Sequence, residues 1–320
     1  MATHTDNDQP HRILALYKFV SPKLEESSLK PLQEELESFC LAQQVRGTLI
    51  LSTEGVNGTI CYPASENDKV RNTLQSKFPG LRTRISRDNR NVFARLRIKI
   101  KSQIVSIGDI NVNVDPTDTV GLYVKPGADW DSILKDPECL VVDTRNAYEV
   151  RIGTFEGAVN PLTENFTEFP EWLTTKAASS KKIAMFCTGG IRCEKATSLA
   201  KSLFPDKQVY HLEGGILAYL DTVQEDQSTF HGECYVFDQR VAVTHGLNPS
   251  QQYVSCFACR QPLSPQERED VSYKEGLSCQ YCVDDATEKQ RQRFEDRNKQ
   301  IELATKQGKL HIHDSKYKYS

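Results

Sequence analysis

The sequence lacks any apolar stretch approaching the 18 or so residues that a membrane span needs, and its opening MATHTDNDQP has no apolar run behind a basic start. Neither a secretory leader nor a spanning helix is expected, so the reading is of a soluble, cytoplasmic protein with no membrane partner. A dominant charge is missing as well: 40 Lys and Arg face 43 Asp and Glu, a formal net charge of −3. Affinity for nucleic acid must then come from local clusters rather than from the field of the whole chain. There is no internal repeat, no G-x-G-x-x-G opening a helix, no haem-attachment motif and no two-His-one-carboxylate pattern, so no flavin or haem is evident. Ten cysteines are present, but a 320-residue chain without a leader is not a small secreted scaffold. Reduced thiols that bind metal or do chemistry are expected in place of disulfides.

At this length two or three cores are expected. Residues 1–10 read as disordered. Residues 11–102 give strand RILALYKFV, helix SSLKPLQEELESFCLAQQ with Leu32, Leu36, Phe39 and Cys40 at helical spacing, and a hairpin GTLILSTEGVNGTICYP turning at Asn57-Gly58. A second helix, SENDKVRNTLQSKF, and a closing strand, VFARLRIKIK, complete βαββαβ, a ferredoxin-like α+β domain. Residues 103–128, broken by Gly108, Pro116, Gly121 and Pro126, read as a linker. From 129 to 225 buried strands CLVVDTR, KKIAMFC and QVYHLEGG alternate with helices, which predicts a parallel sheet covered on both faces. Residues 226–320 hold paired cysteines and then a charged helical tail. Within them YVFDQRVAV reads as one strand, with Asp238 and Arg240 near the loop of the central domain.

The central domain contains FCTGGIRCEK, residues 186–195. Cys187 falls at the carboxyl end of a buried strand, where open α/β sheets bind ligands. Gly189 and Gly190 allow successive backbone N–H groups to turn inward as an anion-binding nest, and a helix starting near Arg192 adds its positive end. Thiolates in such settings have pKa values of roughly 3.5 to 7.5, so Cys187 is expected to be largely ionised at neutral pH. Thr188 and Ile191 complete the loop. Arg192 would close it or face substrate charge, and Cys193 would either act as a second, resolving thiol or pack in the first helical turn.

CTGGIR, with four residues between Cys187 and Arg192, resembles the active loop of rhodanese-like sulfurtransferases. VVDTRNAYEVRIGTFEGAVNP, carrying Asp143 and Arg145 as supports, and HLEGGILAY resemble flanking motifs of that domain. With STEGVNGTI in the front domain, HGECYVFDQRVAV and a double CxxC behind, nearly the whole chain is similar to the tRNA uridine(34) hydroxylase family. The resemblance implies an acylphosphatase-like front domain and conversion of the wobble uridine of certain tRNAs to 5-hydroxyuridine. It further implies molecular oxygen as co-substrate, a persulfide sulfur on Cys187, and a sulfur-donor protein or small thiol as partner. The alternative is a sulfurtransferase acting on a small molecule or in tRNA thiolation.

Two further constellations stand apart. Cys256-x-x-Cys259 and Cys279-x-x-Cys282 are separated by residues 260–278, 19 positions, which suits a closed four-cysteine structural zinc site; two redox-active dithiols are the other reading. Residues 82–101 hold Arg82, Arg84, Arg87, Arg90, Arg95, Arg97, Lys99 and Lys101 against one acid, Asp88. In ARLRIKIK, Ala94, Leu96, Ile98 and Ile100 would face the core while the cations line the other face as a phosphate-tracking stripe for tRNA.

Overall fold

A computed structural model describes residues 9–177 and 179–307. The expected disorder of residues 1–10 falls, for 1–8, outside the described residues, as does the end of the tail beyond 307. The front domain runs β1 (His11–Phe19), α1 (Glu26–Ala42), β2 (Arg46–Ser52), β3 (Gly55–Pro63), α2 (Asn67–Lys77), β4 (Arg82–Asp88) and β5 (Leu96–Ile100). These strands form one sheet in the order β4-β1-β3-β2-β5. Its first four strands pair antiparallel, as a ferredoxin-like sheet requires, and β5 adds parallel to β2. Alternation explains the layers. Leu14, Leu16, Leu49, Leu51, Val56, Ile60 and Tyr62 from the strands meet Leu36, Cys40, Val70 and Leu74 from the helices in one core.

Three expectations need correction here. The chain turns at Thr53-Glu54 between β2 and β3, while Asn57 and Gly58 lie inside β3. Because β3 pairs on both sides, its backbone is committed to two ladders, and a local turn preference at Asn-Gly is overridden. The closing strand of the ferredoxin pattern is β4, unrecognised in the sequence because its arginines read only as a basic cluster. The run read as closing the domain is instead the fifth, edge strand, where Ile98 is buried but Ile100 is 38% exposed and Ala94 only half-buried.

The central domain comprises β6 (Leu122–Val124), α3 (Ala128–Leu134), β7 (Cys139–Asp143), α4 (Ala147–Val150), β8 (Gly153–Phe155), α5 (Phe169–Lys176), β9 (Lys182–Phe186), α6 (Ile191–Leu203), β10 (Gln208–Leu212), α7 (Gly215–Thr222) and β11 (Phe230–Gly232). Its four-stranded sheet, ordered β6-β10-β9-β7, is parallel throughout. The strands are apolar on both sides, as burial between helices demands: Ile183, Ala184, Met185 and Phe186 of β9 are all fully buried. The segment read as a linker is structural in part. Leu122–Val124 supply the edge strand beside β10, Ile107 lies in the central core, and Ile104 packs with Tyr17 and Phe19 of β1.

A second compact unit comprises, among the described residues, 233–244 with 248–307. Its described elements are the hairpin β12 (Cys234–Tyr235) and β13 (Ala242–Val243), the hairpin β14 (Val254–Ser255) and β15 (Pro262–Leu263), and α8 (Glu288–Lys306). The expected single strand YVFDQRVAV is thus a hairpin. Its turn is fixed by a buried Asp238–Arg240 ion pair at 2.7 Å.

Candidate active site

β9 ends at Phe186, and Cys187 follows with 1% of its surface exposed. Gly190, the residue before α6, adopts φ +99°, a left-handed conformation that favours glycine. The loop thereby aims the Gly190 N–H at Cys187 Sγ, 3.1 Å away. Burial by itself raises the thiol pKa. Against it act a hydrogen bond from the Cys193 thiol, the charge of Arg192, and the backbone N–H groups of Cys193 and Gly190, and the balance brings Cys187 from 9.0 down to about 6. Cys193 moves the other way, well above its ordinary value, because burial and the neighbouring anion both oppose its ionisation. Burial and the neighbouring sulfur both favour the protonated form of this second thiol. Thr144 sits 3.8 Å from Cys193 Sγ and donates to the Phe186 carbonyl at 3.0 Å.

Arg192 does not point to solvent. Its guanidinium forms a bidentate pair with Glu149, both bonds 2.8 Å, and Thr188 donates to the same carboxylate at 3.3 Å. Glu149 is fully buried, which would raise its pKa, yet the charge and hydrogen bonds of Arg192, with Arg145 nearby, hold it below the ordinary value. The carboxylate also accepts from the Asn146 N–H, making a capping box that fixes α4. This residue was not singled out in the sequence, although Asn146-x-x-Glu149 is a legible capping signal. Asp143 and Arg145 pair at 2.9 and 2.6 Å, and Arg145 also donates to the Gly153 carbonyl, which ties the end of β7 to β8.

A second missed support is Gly214-Gly215. The N–H groups of Ile216 and Leu217 donate to the carbonyls of Cys187 and Thr188 at 2.9 and 3.0 Å. A Cβ on Gly215, whose φ is +65°, would fall 2.4 Å from the Cys187 carbonyl, so only glycine lets α7 approach the loop. Beyond the loop, Glu194 of α6 is buried and accepts hydrogen bonds from Tyr17 at 2.8 Å and from Tyr123 at 3.0 and 2.9 Å. Neither tyrosine was signalled by the sequence.

Residues 11–104 match the family description "UPF0176 acylphosphatase like domain", and residues 128–222 match "Rhodanese-like domain". The chain is 45% identical to the tRNA uridine(34) hydroxylase of Acaryochloris marina over 304 residues, covering 93% of this chain and 95% of the relative. It is 44% identical over 315 residues to that of Rhizobium leguminosarum bv. trifolii, with 97% and 98% covered. Against that of Agrobacterium fabrum it is 45% identical over 305 residues, with 94% of each covered. The chain belongs to the tRNA uridine(34) hydroxylase family. The acylphosphatase-like and rhodanese-like assignments of its first two domains follow, as the sequence led one to expect.

This family member also carries the four-cysteine cluster. The sulfurs of Cys256, Cys259, Cys279 and Cys282 all lie within 4.8 Å of one another, with 4.0 Å from Cys256 to Cys282, 3.7 Å from Cys259 to Cys279 and 3.8 Å from Cys279 to Cys282. Tetrahedral zinc with bonds near 2.3 Å sets sulfurs about 3.8 Å apart, so the residues fit that ion. The charged helix α8 is tied to this knuckle: Arg297 donates to the carbonyls of Phe257 and Gly276 at 3.1 and 2.5 Å.

The eight cations at 82–101 do not form one stripe. β4 and β5 lie at opposite edges of the five-stranded sheet, with three strands between them. On β4, Arg84 is paired with Asp221 at 2.6 Å, while Arg82 lies 3.7 Å from Glu194 and 3.6 Å from Glu213 and stacks over the Tyr123 ring. Arg87 and Arg90 are half-buried. Arg95, Arg97, Lys99 and Lys101, at the β5 edge, are all exposed. Asn57 donates to the Ile104 carbonyl and Glu54 accepts from its N–H, so both are occupied in holding that segment. Among the described residues no helix is long and apolar enough to cross a membrane.

Proposed function

We propose that this protein hydroxylates uridine 34 of tRNA at C5, with the sulfur carried by Cys187 as the nucleophile. The reading is carried by full-length similarity to enzymes of that name combined with a glycine-loop thiol that accepts the Gly190 N–H and whose pKa is lowered to about 6. A sulfurtransferase reading has no such support from relatives. The anion attacks C6 of the uracil ring, and the displaced electron pair gathers at C5. There one atom of molecular oxygen is accepted; the other leaves as water, with two electrons from an external thiol. Expulsion of the sulfur from C6, with loss of the C5 proton, restores the ring double bond. Cys187 thus ends as it began.

A persulfide on Cys187 would supply an outer sulfur that is a stronger nucleophile and reaches further out of the loop. The chain's own work is to hold negative charge at that position with the amides of Gly190 and Cys193 and the thiol of Cys193, while Glu149 fixes Arg192 beside it. In the second unit we assign zinc to the four cysteines as a structural ion with no open coordination position. The purified protein is expected to contain about one zinc per chain, and its removal by chelation should melt the knuckle while the Cys187 loop retains its reactivity. A metal-free preparation with an unaltered knuckle would contradict this assignment.

For tRNA we assign the phosphate contacts to Arg95, Arg97, Lys99 and Lys101 at the β5 edge; Arg82 and Arg84 are committed to carboxylates. Each phosphate neutralised contributes a slope of about −0.7 to −0.9 to log affinity against log salt. Replacing these four by alanine should therefore flatten the slope by roughly three. An unchanged slope would place the RNA elsewhere. The function itself is tested by mass analysis of tRNA nucleosides from cells lacking this protein, where loss of 5-hydroxyuridine and its derivatives is expected and unchanged levels would refute the activity. With tRNA as its substrate, we assign the enzyme to the cytosol.

A further inference from the structure

The front domain reaches the active loop. β1 ends in Tyr17 and Phe19, which are buried with Ile104 and pack against Ile191, the first residue of α6. The Tyr17 hydroxyl donates to Glu194 at 2.8 Å. That same oxygen lies 3.0 Å from the position a Cβ would take on Gly190, so it rests against the residue whose N–H holds the sulfur. One hydroxyl therefore anchors the first turn of α6 and supports the catalytic amide from behind. The next residue repeats the attachment: Lys195, 2% exposed, meets Glu54 at 3.0 Å and Gln103 at 2.7 Å.

Electrostatics alone does not account for this arrangement. Burial works against an ionised Glu194 and pushes its carboxyl pKa up, and a buried ion network adds little stability over an apolar one of the same shape. What Glu194 gains from Tyr17, Tyr123 and Arg82 is a fixed position for α6. Resting on the reading that Cys187 is the reacting sulfur, we propose that Tyr17 is a positioning residue for Cys187, acting through Gly190, which makes the front domain a part of the active loop as well as an RNA-binding surface.

The test follows the pH dependence of Cys187 alkylation by iodoacetamide in the full-length protein, read on the Cys187 peptide by mass spectrometry. It needs neither tRNA nor hydroxylation, so its outcome is separate from that of the proposed activity. The groups facing the sulfur are Cys193 and Arg192 on α6, Glu149 on α4 behind Arg192, and Glu194 with Tyr17 beyond Gly190. Tyr17→Phe keeps the ring and removes the oxygen. Its alkylation midpoint should rise by about half to one pH unit, a three- to tenfold loss of thiolate below the midpoint. The kcat for hydroxylation should fall by a similar factor, with KM for tRNA within twofold. Tyr123→Phe, which removes a bond to the same carboxylate, should leave the midpoint unchanged. A wild-type midpoint in Tyr17→Phe, or equal rises in both variants, would overturn the proposal. Gly190→Ala gives an independent arm: its methyl would press on the Tyr17 oxygen, so the shift it causes should shrink in the Tyr17→Phe background. Strictly additive shifts would overturn the direct contact.

Discussion

Cys187→Ser is expected to abolish hydroxylation, with a loss on the order of 10⁴-fold or more, because it removes the proposed covalent nucleophile. The fold should survive the change. The side chain is buried, but a serine hydroxyl can accept the Gly190 N–H that the sulfur accepts now, so stability should change by no more than about 1–2 kcal/mol. Hydroxylation of uridine 34 followed by nucleoside mass analysis, alongside thermal unfolding, checks both halves. Residual activity within tenfold of wild type would remove Cys187 from the chemistry.

Glu149→Ala is the substitution with the largest expected effect on stability. It strips a buried guanidinium of a bidentate partner, removes the capping box of α4 and leaves the Thr188 hydroxyl without its acceptor. Breaking one side of a buried pair costs about 3–5 kcal/mol, and denaturant unfolding should show it. The pH dependence follows from the depressed carboxylate: its stabilising contribution is complete above the ordinary value of 4.5 and is lost as pH falls through the lower, folded-state value. Wild type and variant should thus converge in stability on acidification. A loss under about 1 kcal/mol at neutral pH would mean that the pair is dispensable to the loop.

The parts of the site that were legible in the sequence are those whose residues are adjacent in it. Cys187, Gly189, Gly190 and Arg192 occupy one short run, and the loop they imply is the loop observed. Supports brought in by tertiary contact were not. Glu149 lies 43 positions from Arg192, and Tyr17 lies 177 from Glu194, distances over which no periodicity carries information. The three buried strands of the central sheet were readable because strands covered on both faces carry short apolar runs rather than alternation. β4 was not, because Arg82, Arg84 and Arg87 crowd it and the carboxylate partners of Arg82 and Arg84 belong to the central domain. The Asn57-Gly58 turn failed for a related reason: a strong local signal lost to two ladders of backbone hydrogen bonds.

The account rests on a sulfur kept anionic by inward-facing amides and a neighbouring thiol, and the most direct measurement is the pH titration of Cys187 in the wild-type protein by site-resolved alkylation. A midpoint near 6 is expected, with reactivity falling tenfold per pH unit below it. A midpoint at or above about 8.5, the value of a free thiol, would contradict it.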